Sequence, residues 1–185
     1  MGNAHDEERP GHDQHAEPAD SVHTDLPSER SLFTELSALC ETATRLAGVE
    51  GGAVAALMSS QSRELVYATN SVAERIDELQ FAVGEGPCLD AYSSQWPQLC
   101  PRIDAPGPRH RWLTFSAGVQ DLGVEAVFAF PMPGPQHSLG VLELYRRTAG
   151  ALTDEQLNYA QLCAEVMGHA IVSTLPSVRR RPRPP

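Results

Sequence analysis

No stretch of this chain approaches the roughly 18–20 consecutive apolar residues that a helix needs to cross a bilayer, so a membrane-spanning helix is not expected. The start, Met1-Gly2-Asn3-Ala4-His5-Asp6, has no apolar h-region, which argues against a secretory signal. Gly2 suits N-myristoylation, but that motif needs Ser or Thr where Asp6 stands. A cytoplasmic location is therefore the expectation. Lysine is missing altogether: all 14 basic residues are Arg. With abundant Ala, Gly and Pro, this is the composition of a GC-rich genome and excludes no function. Cysteine is sparse, and Cys40, Cys88, Cys100 and Cys163 include no CxxC pair. That argues against a structural zinc site, and a reducing cytoplasm leaves four free thiols. There is no HExxH, GxSxG, EF-hand loop, Gly-rich P-loop or catalytic acid pair. Asp77/Glu78 and Asp154/Glu155 read as exposed helix charges.

What is present fits one domain with tails: 185 residues, 41% of them hydrophobic, enough for a single packed core. The formal net charge is −10. A net acidic chain with no basic stripe across its middle is a poor match for nucleic acid, whose phosphates repel it. Residues 1–28 lack Ile, Phe, Trp and Tyr and are rich in Asp, Glu, His and Pro, so they read as a disordered tail. His12 and His15, at i and i+3, would hold a divalent metal only weakly. Residues 176–185 form a second tail whose Arg179, Arg180, Arg181 and Arg183 have no acidic neighbour and read as a solvated end. The domain proper spans 29–175.

Within it, Ser28 caps a helix over about Glu29–Ala47, with Leu32, Leu36, Leu39, Ala43 and Leu46 on one face, and Gly48 ends it. Gly51–Ser60 and Arg63–Thr69 form a hairpin of strands. The first is apolar on both faces, Val54 and Ala56 on one and Ala53, Ala55 and Leu57 on the other, so it belongs in the middle of a sheet. Asn70 or Ser71 caps a helix to Leu79. Gly84 and Gly86 allow a tight turn, Pro87 opens a short helix to about Ser93, and Trp96–Cys100 is a short strand that Pro97 assigns to an edge. After a Pro-rich loop, one helix runs from Arg109 to Val119. Val124–Met132 and Ser138–Arg147 form a second hairpin. Thr153 and Gln156 form a capping box at the start of a helix that Pro176 stops. Paired antiparallel strands flanked by helices predict an α+β layer fold.

Three segments carry a family resemblance over about residues 30–174. Gly84-Glu85-Gly86-Pro87-Cys88-Leu89-Asp90-Ala91 resembles the GEGPCLDA block of actinobacterial GAF domains, above all those joined to an RNA-binding ANTAR domain. Ser138-Leu139-Gly140-Val141-Leu142-Glu143-Leu144-Tyr145-Arg146 and Leu152-Thr153-Asp154-Glu155-Gln156 resemble the penultimate strand and the start of the last helix of GAF domains generally. The resemblance implies a GAF/PAS-like central antiparallel sheet of five or six strands with helices on both faces. It also implies a pocket roofed by the middle loops and terminal helices on the opposite face, where many relatives dimerise. About ten residues follow the last helix, too few for an ANTAR domain, so antitermination is not carried over.

The aromatic residues Phe81, Tyr92, Trp96, Trp112, Phe115, Phe128 and Phe130, with Cys88, are the expected pocket wall for a small molecule, or else plain core. Cys88 at a helix N-terminus suggests a stabilised thiolate, and Cys88 with Cys100 makes a redox alternative. GAF-fold free methionine-(R)-sulfoxide reductases have cysteines in this region, but the further catalytic cysteine of that family has no match in Pro108-Arg109-His110-Arg111-Trp112. Haem, which some relatives hold through a pocket histidine, would look to His110, His137 or His169. A cyclic nucleotide would look to Arg102, Arg109 and Arg111. The leading expectation is a sensory domain that binds a small molecule, forms a homodimer and signals through a separate protein. A thiol redox protein and an interaction module without ligand are the alternatives. Ala160, Ala164 and Gly168 on the last helix suit either a close dimer contact or packing on the sheet.

Overall fold

The computed structural model describes residues 27–59 and 62–174. The acidic tail with His12 and His15, the turn at Ser60 and Gln61, and the Arg/Pro tail lie outside the described residues. The order is α1 (Pro27–Ala47), β1 (Gly51–Ser59), β2 (Ser62–Ala68), α2 (Ser71–Val83), α3 (Pro87–Ser94), β3 (Gln98–Cys100), α4 (Pro106–Arg111), α5 (Leu113–Asp121), β4 (Ala126–Met132), β5 (Gly140–Arg146) and α6 (Asp154–Thr174). The strands form one sheet in the order β2-β1-β5-β4-β3, every neighbour antiparallel. Both expected hairpins form. β1 lies between β2 and β5, which explains why both its faces are apolar, and β3, as expected, is at an edge, with β2 at the other.

Each strand alternates its side chains between two helical layers. On one face Val54, Phe128, Phe130, Leu142 and Leu144 pack against α1 and α6. These two helices run antiparallel. Arg146 Nη2 joins the end of α1 to the start of α6, donating to Ala47 O (2.9 Å) and Gln156 Oε1 (3.1 Å). Helix α1 begins at Pro27, whose fixed φ suits a first helical position, so Ser28 lies inside the helix rather than capping it. Its buried seam is Leu36, Cys40, Ala43 and Ala47. The expected seam residue Leu46 instead faces out, because Ala47 takes the inner position. The capping box of α6 forms as expected: the Gln156 N–H donates to Thr153 Oγ1 (3.2 Å) and the Thr153 N–H to Gln156 Oε1 (3.0 Å). Ala160, Ala164 and Gly168 all face inward. A Cβ on Gly168 would stand 2.3 Å from the Pro133 carbonyl oxygen, so the small residues serve packing within the chain.

The other face carries Ala53, Ala55, Val127, Ala129, Val141 and Tyr145 under a roof of α2, α3 and α5. Asn70 caps α2, its Oδ1 accepting from the Val72 and Ala73 N–H groups (3.1 and 3.0 Å). The helix runs past Leu79 to Val83 and stops at Gly84 in the left-handed conformation (φ 69°). The single helix expected over Arg109–Val119 is two, α4 and α5, separated by Trp112 in non-helical backbone (φ −134°, ψ 69°). That break has a cause in the roof itself.

Candidate functional site

The Gly84–Ala91 segment is a set of ties. Glu85 Oε1 accepts the Thr114 and Phe115 N–H groups (2.5 and 2.9 Å), so a side chain from the α2–α3 turn caps α5. Asp90 Oδ2 accepts from Trp112 Nε1 (2.8 Å) and pairs with Arg111 Nε (2.7 Å). Trp112 is thereby drawn inward, where its ring meets Phe115 edge-on at 6.4 Å, and the helix breaks at its backbone. Gly86 has φ 144°, and a Cβ there would lie 2.4 Å from Gln80 Oε1. Pro87 opens α3.

Beneath these ties lies a buried polar cluster. The Cys88 N–H donates to Gln80 Oε1 (2.8 Å). The Cys88 thiol donates to Glu143 Oε2 (2.8 Å), and Gln80 Nε2 donates to the same oxygen (2.5 Å). Glu143 stands at the centre of β5, only 3% exposed, opposite Ala53 on β1 and Ala129 on β4. These small neighbours leave its carboxylate free to rise from the sheet into the roof. Its Oε1 is buried with no hydrogen-bond partner among the described residues. Asp77 is likewise buried and pairs with Arg63 of β2 (2.5 Å).

Burial decides the titration of this cluster. It pushes Glu143 from its ordinary 4.5 up to about 7, against the hydrogen bonds from Cys88 and Gln80. It pushes Asp77 up to about 6, with Arg63 opposing. Burial also carries the Cys88 thiol well above its ordinary range, and the Glu143 carboxylate adds to the rise. The thiolate expected from the helix N-terminus is therefore not favoured, because desolvation and a neighbouring acid outweigh the helix dipole. Cys100, also buried, is raised to about 11 by burial.

The eight expected pocket residues do not share one place. Cys88, Tyr92, Trp112 and Phe115 belong to the roofed side. Phe128 and Phe130 face α1 and α6, because on β4 the roofed face belongs to Val127 and Ala129. Phe81 is half-exposed beneath the Arg63 guanidinium (4.8 Å), and Trp96 is 73% exposed beside a shallow pocket of about 180 Å³. His110, His137 and His169 are all exposed. Arg102 is held by Asp104 (3.3 Å) and Arg111 by Asp90. Among the described residues, no group of three or more His, Cys, Asp or Glu side chains is placed to hold a metal. The sequence reading missed Glu143, Gln80 and Arg63 and took Asp77 for an exposed charge. Asp77 is buried because it lies on the inner stripe of α2 with Ala73, Ile76 and Gln80. A second cavity, about 900 Å³, opens between the first turns of α1, the β1–β2 hairpin and the end of α6.

The family model of the GAF domain matches residues 29–172, and the chain belongs to that family. Solved structures agree in fold. The blue-light-absorbing PixJ GAF domain of Thermosynechococcus elongatus is 14% identical, with a TM-score of 0.60 over 81% of this chain and 90% of that one. A photoproduct-state GAF domain from Synechocystis sp. PCC6803 is 13% identical, with a TM-score of 0.59 over 77% and 94%. The GAF domain of a phosphoenolpyruvate-protein phosphotransferase from Coxiella burnetii is 12% identical, with a TM-score of 0.59 over 77% and 83%. At such identities the likeness is one of fold. No protein of curated function matches the sequence. None of the described helices is long and apolar enough to cross a membrane.

Proposed function

We propose that this chain is a cytoplasmic sensory module that reads a small molecule at the roofed face of its sheet. It passes the signal through α1 and α6, as a homodimer, to a separate protein. GAF domains are typically sensory or regulatory, which sets the class. The observation that carries the reading is Glu143. A carboxyl group in the middle of a central strand is held on one oxygen by Cys88 and Gln80, while the other is buried without a partner among the described residues. An unsatisfied polar atom in a dry site is costly, and a ligand that hydrogen-bonds to it, donating to the carboxylate or accepting from the protonated acid, removes that cost. The roof is fastened by polar ties at Glu85 and Asp90, which can open without disturbing the layer of α1 and α6. Outward-facing Tyr159, Leu162 and Val166 on α6, with Phe33 and Leu46 on α1, supply the apolar surface for a second copy.

Native mass spectrometry of freshly purified protein tests the ligand. The expected result is a retained mass above that of the chain, lost in Glu143→Gln. A bare chain mass, both on purification and after incubation with a metabolite extract, would reduce the protein to an interaction module.

A further inference from the structure

The 900 Å³ groove lies where the start of α1 and the end of α6 meet the β1–β2 hairpin, and none of Glu143, Cys88 and Gln80 lines it. Its apolar lining includes Leu32 and Leu36 of α1, Ala56 and Val66 of the hairpin, Leu139, and Ile171 of α6. Among the described residues its charged or titratable side chains are Arg30, His137 and Glu64. We propose that this groove binds a free long-chain carboxylate, with the acyl chain along the apolar lining and the carboxylate at Arg30 and His137.

Three observations select this chemistry. The volume falls within the range of small-molecule sites, about 300–1,000 Å³, and the lining is mostly apolar with a few polar groups, as such sites require. Among the described lining residues Arg30 and Glu64 balance, so the groove lacks the acidic excess of a chain of net charge −10, and Arg30 supplies an anionic head with a counter-ion. Arg30 presents a planar fork that matches a carboxylate, and His137 offers an N–H donor in either charge state. The groove runs between packed elements rather than across a flat face, which suits one acyl chain. A bilayer surface carrying anionic lipid would meet the acidic body of the protein and be repelled. Because α1 and α6 both line the groove, an occupant would touch the two helices that bear the exposed apolar stripe.

Calorimetric titration of the full chain with sodium octanoate, decanoate and dodecanoate tests the assignment. The expected result is one dodecanoate per chain. Affinity should rise up to about fourfold for each added methylene, the value that about 0.8 kcal/mol per buried CH₂ implies. Arg30→Glu, at an exposed position, should weaken dodecanoate binding at least about tenfold while the circular dichroism spectrum and Tm stay unchanged. Dodecyltrimethylammonium should bind at least about tenfold more weakly than dodecanoate. The proposal is overturned by any of four results: no saturable binding of dodecanoate, equal binding of the cationic amphiphile, unchanged affinity in Arg30→Glu, or saturation at one dodecanoate per two chains. The last would give the groove to a second copy of the protein.

Discussion

Cys88 and Glu143 are 55 positions apart in the chain, yet the thiol of one donates to the carboxylate of the other at 2.8 Å. This contact joins the start of α3 to the centre of the sheet. It bears on what each group can do: burial, with the acid adding to it, holds the thiol protonated, and the thiol satisfies one oxygen of the buried acid.

The first prediction follows from the direction in which Glu143 is shifted. The folded protein keeps this proton up to about pH 7, whereas the unfolded chain releases it near the ordinary 4.5. Between those values the folded state binds more protons, so its stability falls as pH rises, then levels off above about 7. The span from 4.5 to about 7 corresponds to on the order of 3 kcal/mol. Asp77, raised to about 6, adds a slope of the same sign. It is present in both wild type and Glu143→Gln, so the difference between the two reports Glu143 together with its coupling to Asp77. Urea unfolding from pH 4.5 to 8 should show wild type losing stability relative to Glu143→Gln across that window. A difference that does not vary with pH would mean that Glu143 is ionised in the fold throughout.

A second prediction concerns the thiols. All four cysteines are buried in the folded chain, and burial raises each one. Native protein at pH 7 should react with an aromatic disulfide reagent far more slowly than protein in urea, where four thiols should appear. Cys88→Ala leaves Glu143 Oε2 with Gln80 alone and should cost about 1–3 kcal/mol. Cys88→Ser keeps a donor at that place and should cost less. Rapid stoichiometric labelling of Cys88 in the native state would show that the roof opens readily.

Much of this fold was legible in the chain because local signals agreed with the final packing. The two hairpins, the Asn70 cap, the Thr153/Gln156 box and the opening of α3 at Pro87 all follow from short-range chemistry. The break at Trp112 was not legible, because its cause is a carboxylate 22 residues away at Asp90. Phe128 and Phe130 were misgrouped for a simpler reason. Alternation along β4 separates them from Val127 and Ala129, and aromatic character says nothing about which face is roofed. Glu143 was the most readable of the residues missed. Leu142 and Leu144 mark one face of β5 and Val141 and Tyr145 the other, so a strand apolar on both sides must bury the acid between them.

Glu85 yields a third prediction. Its carboxylate is the cap of α5 although it belongs to the preceding turn, 29 positions from Thr114. Glu85→Ala should cost about 0.5–2 kcal/mol, the usual range for losing a helix cap. Hydrogen exchange should place the loss at the Thr114 and Phe115 amides rather than in α1 or α6. Glu85→Gln retains an acceptor oxygen and should recover most of it. Equal exchange at those amides in wild type and Glu85→Ala would remove Glu85 from the role of fastening the roof.

The last prediction separates assembly from folding. Ala160, Ala164 and Gly168 are turned inward, so a second copy can meet α6 only through its outer stripe, where Tyr159, Leu162 and Val166 follow one another at helical spacing. Leu162 is 55% exposed and contributes little to the core of its own chain. Leu162→Glu should therefore leave the far-UV spectrum of the protein intact while converting a dimer to a monomer in sedimentation velocity. Gly168→Ala should do the reverse. Its Cβ collides with the Pro133 backbone, which lowers Tm, while the outer stripe is untouched. A wild-type chain that sediments as a monomer at tens of micromolar, or a dimer that survives Leu162→Glu, would move the association surface off α6.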